Sequence, residues 1–189
     1  MANWDSLRLP TERDLLVGFY DLTGYVTYAA KRPPRDVLDV LAGYFRLTGA
    51  IIAEAGGKLI KTLGDAGLFI FFAEDADAGV RAMMDVQRRG DAWVAERGYK
   101  TRAIVKTNVG PVALGLVGAP GDERLDVYGK TVNIAATLDS AGFTMTPAAF
   151  RALSPETRML FKKHMPPISY IAADDRHGAI KTPRGSVMV

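Results

Sequence analysis

The four residues Gly64-Asp65-Ala66-Gly67 separate two short apolar arms, residues 58–63 and 68–72. Two such arms around a glycine-containing turn read as a β-hairpin. Longer stretches of helical period flank that hairpin. Before it, Val37, Leu38, Leu41, Tyr44, Phe45, Thr48, Ile51 and Ile52 recur every three or four residues, the spacing of one helix face. Pro33-Pro34 opens this helix and Gly56-Gly57 stops it. After the hairpin, residues 75–97 predict a second helix closed by Gly98, with Val80, Met83, Met84, Gln87 and Trp93 along one stripe. A buried strand over 14–20 precedes the first helix. Two strands, 101–107 and 112–117, follow the second around Gly110-Pro111. The order β-α-β-β-α-β predicts an α+β fold with a ferredoxin-like core.

More strands and helices are expected beyond that core. Residues 130–140 read as a helix. Thr146 and Pro147 read as the N-cap and first position of a short one. Ser154-Pro155-Glu156 begins another turn, and 168–171 a late strand. One domain over 1–173 is expected. The polar stretch 174–189 reads as a peripheral ribbon or a disordered tail.

Composition narrows the setting. The chain has 189 residues, enough to bury a core without cross-links, and it has no cysteine. No run approaches the roughly 20 apolar residues of a membrane helix. The first residues lack the basic and apolar regions of a signal peptide. A cytoplasmic protein without membrane contact is the expectation. The net charge is +3 and no dense Lys/Arg stripe occurs, so nucleic acid is not expected as a partner. The mean hydropathy, just above zero, is high for a soluble monomer, and a buried contact between copies is one explanation.

The chemistry concentrates on two aspartates. Asp21 ends the apolar run Val17-Gly18-Phe19-Tyr20, and Asp65 sits in the hairpin turn. A pair of carboxylates suits Mg²⁺, which is commonly shared between one or two carboxylates and substrate phosphates. Gly129-Lys130-Thr131 imitates the end of a P-loop, but the glycine required five positions earlier is Arg124. His164 and His177 lack the spacing of a zinc site.

The segments around Asp21, from Lys61 to Asp65, and from Leu125 to Ala136 (LDVYGKTVNIAA) resemble the class III nucleotidyl cyclase catalytic domain, over about residues 14–171. The resemblance implies the class III cyclase fold. It implies conversion of a nucleoside triphosphate to a 3′,5′-cyclic nucleotide and pyrophosphate, in a homodimer whose sites combine both protomers. Asp21, Asp65 and the Leu22 backbone are implied to hold two Mg²⁺ or Mn²⁺ ions. Lys61 and Asp126 are implied to read the base, Asn133 to orient the ribose, and Lys162 to grip the triphosphate.

Hydrogen bonding narrows the base. Lys61 only donates and ionised Asp126 only accepts, which matches adenine. Guanine presents the reverse pattern. Cytosine presents the same pattern as adenine, so this pair alone does not reject CTP. The family's transition-state arginine, four residues after Asn133, is replaced by Thr137. Arg102, Arg124 and Lys130 are the candidates to supply the missing charge. The expected function is an adenylate cyclase-like enzyme. A pyrimidine (cytidylate or uridylate) cyclase of bacterial antiviral defence is the alternative. A catalytically degenerate nucleotide-binding or regulatory module is the second alternative.

Overall fold

A computed structural model describes residues 4–165 and 167–175. The strands are β1 (Thr11–Leu22), β2 (Lys58–Leu63), β3 (Ala66–Phe72), β4 (Ala103–Val117), β5 (Arg124–Tyr128), β6 (Phe143–Met145), β7 (Phe161–His164) and β8 (Ser169–Ala172). The helices are α1 (Tyr25–Ala29), α2 (Pro34–Glu54), α3 (Ala76–Ala95), α4 (Lys130–Thr137), α5 (Pro147–Arg151) and α6 (Pro155–Arg158). Seven strands form one sheet in the order β2-β3-β1-β4-β6-β8-β7, and β5 pairs with the far part of β4. The β1-α2-β2-β3-α3-β4 sequence is the expected ferredoxin-like core.

Alternation along β1 divides the interior in two. Leu16, Tyr20 and Leu22 face α2 and α3, where they meet Tyr44, Ile52, Phe69, Phe71, Val80 and Met83. Leu15, Val17 and Phe19 face the opposite side, with Leu68, Ile70, Val112, Leu114 and Val127. A fully buried side chain of this kind contributes roughly 1.5–3 kcal/mol, so the packed α2/α3 side is the rigid support. Glycine allows the close approach of the two helices: a Cβ at Gly90 would meet the Tyr44 ring at 2.9 Å. Leu38, expected on the buried stripe, is 62% exposed.

Three further sequence expectations change. The two strands expected around Gly110-Pro111 are one strand of 15 residues, β4. β6 pairs with β4 only as far as Thr107, and β5 only from Ala113. Over the intervening residues β4 has one strand neighbour, so Pro111 sits as it would in an edge strand. The α4 helix ends at Thr137 rather than near 140, because Leu138 turns extended. Ser140 then binds the Val105 and Gly142 carbonyls, drawing the chain onto the sheet. Short elements escaped the sequence reading: α1, β5, β6 and β7 are three to five residues each. Thr146 and Ser154 cap α5 and α6 as expected. The expected tail falls mostly on residues 176–189, outside the described residues. No helix among the described residues is long and apolar enough to cross a membrane.

Candidate active site

Two rows of side chains cross the face of the sheet opposite α2 and α3. Phe19 is the register partner of Leu68 on one side and of Lys106 on the other, and Leu68 in turn partners Lys61. Register partners point to the same face. Lys61, Leu68, Phe19 and Lys106 therefore form one row across β2, β3, β1 and β4. Two residues along, Leu63 pairs with Ala66 and Asp21 with Ile104. All eight line one cavity, together with Gly67 and with Ala136 of α4. Its volume is about 140 Å³, well under the roughly 300–1,000 Å³ of pockets that enclose a whole small molecule. One chain alone does not enclose a whole small molecule there.

The sequence-predicted carboxylates meet at this cavity. Asp21 lies at the end of β1, and Asp65 in the β2–β3 turn. The Leu22 N–H donates to Asp65 Oδ2 at 3.2 Å, fixing the turn against the strand. The two carboxyl groups lie within hydrogen-bonding reach of each other. Burial, then the hydrogen bond and the charge of Asp21, push the Asp65 carboxyl far above the usual carboxylate range. A divalent cation between them would relieve the repulsion. Among the described residues no third histidine, cysteine or carboxylate joins the pair. Two carboxylates alone fit a hard ion that completes its shell with phosphate and water. The Leu22 backbone, expected as a metal ligand, meets Asp65 through its N–H.

The expected base-reading pair also forms. Lys61 Nζ donates to Asp126 Oδ2 at 2.6 Å. The Val127 N–H donates to the other carboxylate oxygen at 2.8 Å, and the Tyr128 hydroxyl to Oδ2 at 3.0 Å. Burial raises the Asp126 pKa, but the Lys61, Val127 and Tyr128 donors outweigh it and the net direction is down. Asp126 is therefore an ionised acceptor at neutral pH, as reading an amino group requires. Tyr128, quoted in the sequence motif without a role, is the third member of this cluster.

The α4 helix is tied to β4 by a chain of bonds. Thr146 Oγ1 donates to Asn108 Oδ1 at 2.7 Å, Asn108 Nδ2 to the Thr131 carbonyl at 3.1 Å, and Thr131 Oγ1 to the Pro111 carbonyl at 2.7 Å. Gly129 enters the helix at φ +141°, a conformation that favours glycine. This anchoring presents Asn133 on the exposed side. Thr137 Oγ1 donates back to the Asn133 carbonyl at 2.9 Å. Its hydroxyl is spent on its own helix and cannot stand in for an arginine.

Four expected cations lie elsewhere. Lys162 sits on edge strand β7, where its ammonium binds the Ala173 carbonyl at 2.8 Å and the Asp175 carbonyl. Within one chain it is not brought to the cavity. Arg102 pairs with the buried carboxylate of Asp175. Arg124 pairs with Asp122 in an exposed turn. Lys130, at the start of α4, is not among the lining residues. Besides Lys61, the cation that lines the cavity is Lys106, which the sequence reading missed. A signal was present: Lys106 directly follows the apolar run Ala103-Ile104-Val105 on an expected strand.

Comparison with known proteins agrees with this geometry. The model of the adenylate and guanylate cyclase catalytic domain matches residues 10–164. An adenylate cyclase of Streptomyces coelicolor is 35% identical over 130 residues, covering 68% of this chain and 30% of that protein. An adenylate cyclase of Anabaena cylindrica is 28% identical over 135 residues, covering 67% of this chain and 27% of that protein. The chain thus spans less than a third of these relatives. Among solved structures, an adenylyl cyclase from P. aeruginosa superposes with a TM-score of 0.74 at 17% identity, covering 89% of this chain and 98% of that one. The guanylate cyclase domain from Catenaria anguillulae, in complex with GTP, gives 0.64 at 19% identity, covering 82% and 87%. With the family model spanning the whole core and both carboxylates, the chain belongs to the adenylate and guanylate cyclase catalytic domain family, the class III cyclases.

Proposed function

We propose that this domain converts a nucleoside triphosphate, ATP in preference, to its 3′,5′-cyclic monophosphate and pyrophosphate. The observation that carries the reading is the joint presence of the crowded Asp21–Asp65 pair and the Lys61–Asp126 pair, with Asp21 and Lys61 lining one cavity too small for a whole nucleotide. The site is completed by a second copy. Asp21 and Asp65 of one protomer face Lys61, Asp126, Asn133 and Lys162 of the other, across a two-fold axis that generates two such sites.

In the reaction the 3′-hydroxyl loses its proton, its oxygen bonds to the α-phosphorus, and the bond to the pyrophosphate oxygen breaks. Two Mg²⁺ or Mn²⁺ ions, held by Asp21, Asp65 and the Leu22 backbone, would lower the hydroxyl's pKa and neutralise phosphate charge. Asp126 accepts from the adenine amino group and Lys61 donates to the neighbouring ring nitrogen. Guanine would leave both unpaired, which is costly in a partly buried site. Asn133 aligns the ribose. Most of the rate enhancement is positioning and electrostatics rather than covalent chemistry.

Incubation with Mn²⁺ or Mg²⁺ and each of ATP, GTP, CTP and UTP, with product identification by mass spectrometry, tests this. Cyclic AMP as the main product is expected, with GTP poorest. Cyclic CMP as the main product would favour the pyrimidine reading, which the donor–acceptor pattern of Lys61–Asp126 equally fits. Product from UTP alone would overturn the base assignment. No cyclic product from any nucleotide would leave a nucleotide-binding regulatory module.

A further inference from the structure

Lys106 is the one charged residue of β4. Its place in the cavity follows from register rather than from a flexible loop. It stands beside Phe19, one row from Asp21 on the neighbouring strand. Such diagonal neighbours lie about 7–8 Å apart, within a lysine's reach. Burial lowers the Lys106 pKa, while the charges of Asp21 and Asp139 raise it. Among the described residues its ammonium makes no hydrogen bond or ion pair. Keeping a half-buried cation without a direct partner is unfavourable, and an anionic ligand would remove that cost. Of the other cations considered, Arg102, Arg124 and Lys162 are held elsewhere, by Asp175, by Asp122 and by the carbonyls of residues 173 and 175, and Lys130 does not line the cavity. Thr137 supplies no charge at the end of α4.

Resting on the cyclase reading, we infer that Lys106 is a further substrate-contacting residue, whose ammonium donates to a phosphate oxygen of the bound triphosphate on the Asp21 side of the cavity. It stays protonated throughout and transfers no proton. Its charge offsets the negative charge that builds on the phosphates as pyrophosphate leaves. The duty assigned by resemblance to a helical arginine is thereby moved to a strand lysine that approaches from the floor of the site.

Lys106→Met keeps the length and apolar stem of the side chain and removes the charge. Removal of one preorganised donor typically lowers kcat by about 10²–10³-fold, and a loss of that size is expected here, with the dimer unchanged by analytical ultracentrifugation. Lys106→Arg is expected to keep turnover within about tenfold of the parent, and Thr137→Arg to restore part of the activity of Lys106→Met. Turnover of Lys106→Met within about threefold of the parent would overturn the assignment. A binding measurement separates this from failure of the cyclase reading. The probes are the 3′-deoxy triphosphates of adenosine and cytidine with Mn²⁺, which lack the attacking hydroxyl, and the corresponding 3′-deoxynucleosides. Even if the parent forms no cyclic product, Lys106→Met should weaken a triphosphate about tenfold or more and leave its nucleoside unaffected. Equal affinity of parent and variant for both triphosphates, or no binding of either by the parent, overturns the inference.

Discussion

Asp21 and Asp65 hold too much negative charge for the space they share. Burial and the Asp21 neighbour raise the Asp65 pKa, so in the metal-free protein the pair retains a proton at neutral pH. A cation that binds both carboxylates must displace it. Calorimetric Mn²⁺ titrations at pH 7, in buffers of different ionisation heat, should therefore register release of about one proton per pair, and affinity should climb as pH rises. Heats independent of the buffer would show that the pair is already ionised. Tyr128 offers a milder test. Its hydroxyl is one of three donors holding Asp126, and a net hydrogen bond contributes about 0.5–1.5 kcal/mol. Tyr128→Phe should lower kcat/KM for ATP by roughly two- to tenfold without altering the dimer. An unchanged value would mean Lys61 and the Val127 N–H suffice. The three acidic residues Asp21, Asp65 and Asp126 were legible in the sequence as candidates, because each stands at a turn or strand end or within a motif. Lys106 and Tyr128 were not, because their roles arise from register and cross-strand contact, which spacing along the chain does not encode.

At the level of elements, α2, α3 and the β2–β3 hairpin were legible because their periods are long and their stops are glycine. The single strand β4 was not. Its proline reads locally as a turn, and only the gap between β6 and β5 makes Pro111 tolerable there. That same stretch anchors α4. Thr131→Val removes the bond to the Pro111 carbonyl and leaves a partly buried acceptor unpaired, which costs about 1–3 kcal/mol. Its denaturant midpoint should fall and kcat should fall with it, since Asn133 rides on this helix. Thr137→Ala, whose hydroxyl bonds only its own helix, should stay within about 0.5 kcal/mol of the parent. A different device joins α3 to β4: the Asp91 carboxylate accepts from the Ala103 N–H at 2.8 Å. Burial pushes Asp91 up to about 6, against the opposing effects of that N–H and of Arg102. A raised carboxyl binds more protons folded than unfolded between its ordinary value and about 6, so its contribution to stability falls as pH rises through that window. The stability of the parent relative to Asp91→Asn should accordingly decline from pH 4 to 6 and level off above. A difference flat with pH would place Asp91 in water.

For the whole molecule, the proposed function rests on one chain carrying both residue pairs while enclosing a cavity of only about 140 Å³. Leu63, Leu116, Val117, Tyr128 and Ile134 are exposed around the cavity face and the adjoining β5–α4 region, in keeping with the high mean hydropathy of the sequence. The head-to-tail pair proposed above would cover such a surface and bring Asp21 and Asp65 of one copy to Lys61 and Asp126 of the other. Complementation measures this directly. Asp65→Ala and Lys61→Met are each expected to be inactive as homodimers. In a mixed dimer one site carries both defects and the other carries neither. Equimolar mixing with free subunit exchange should therefore restore cyclic-nucleotide formation to about one quarter of the parental rate, half the dimers being mixed and each having one intact site of two. A mixture no more active than the two variants measured separately, with exchange verified, would contradict the shared site and place the whole reaction within a single chain.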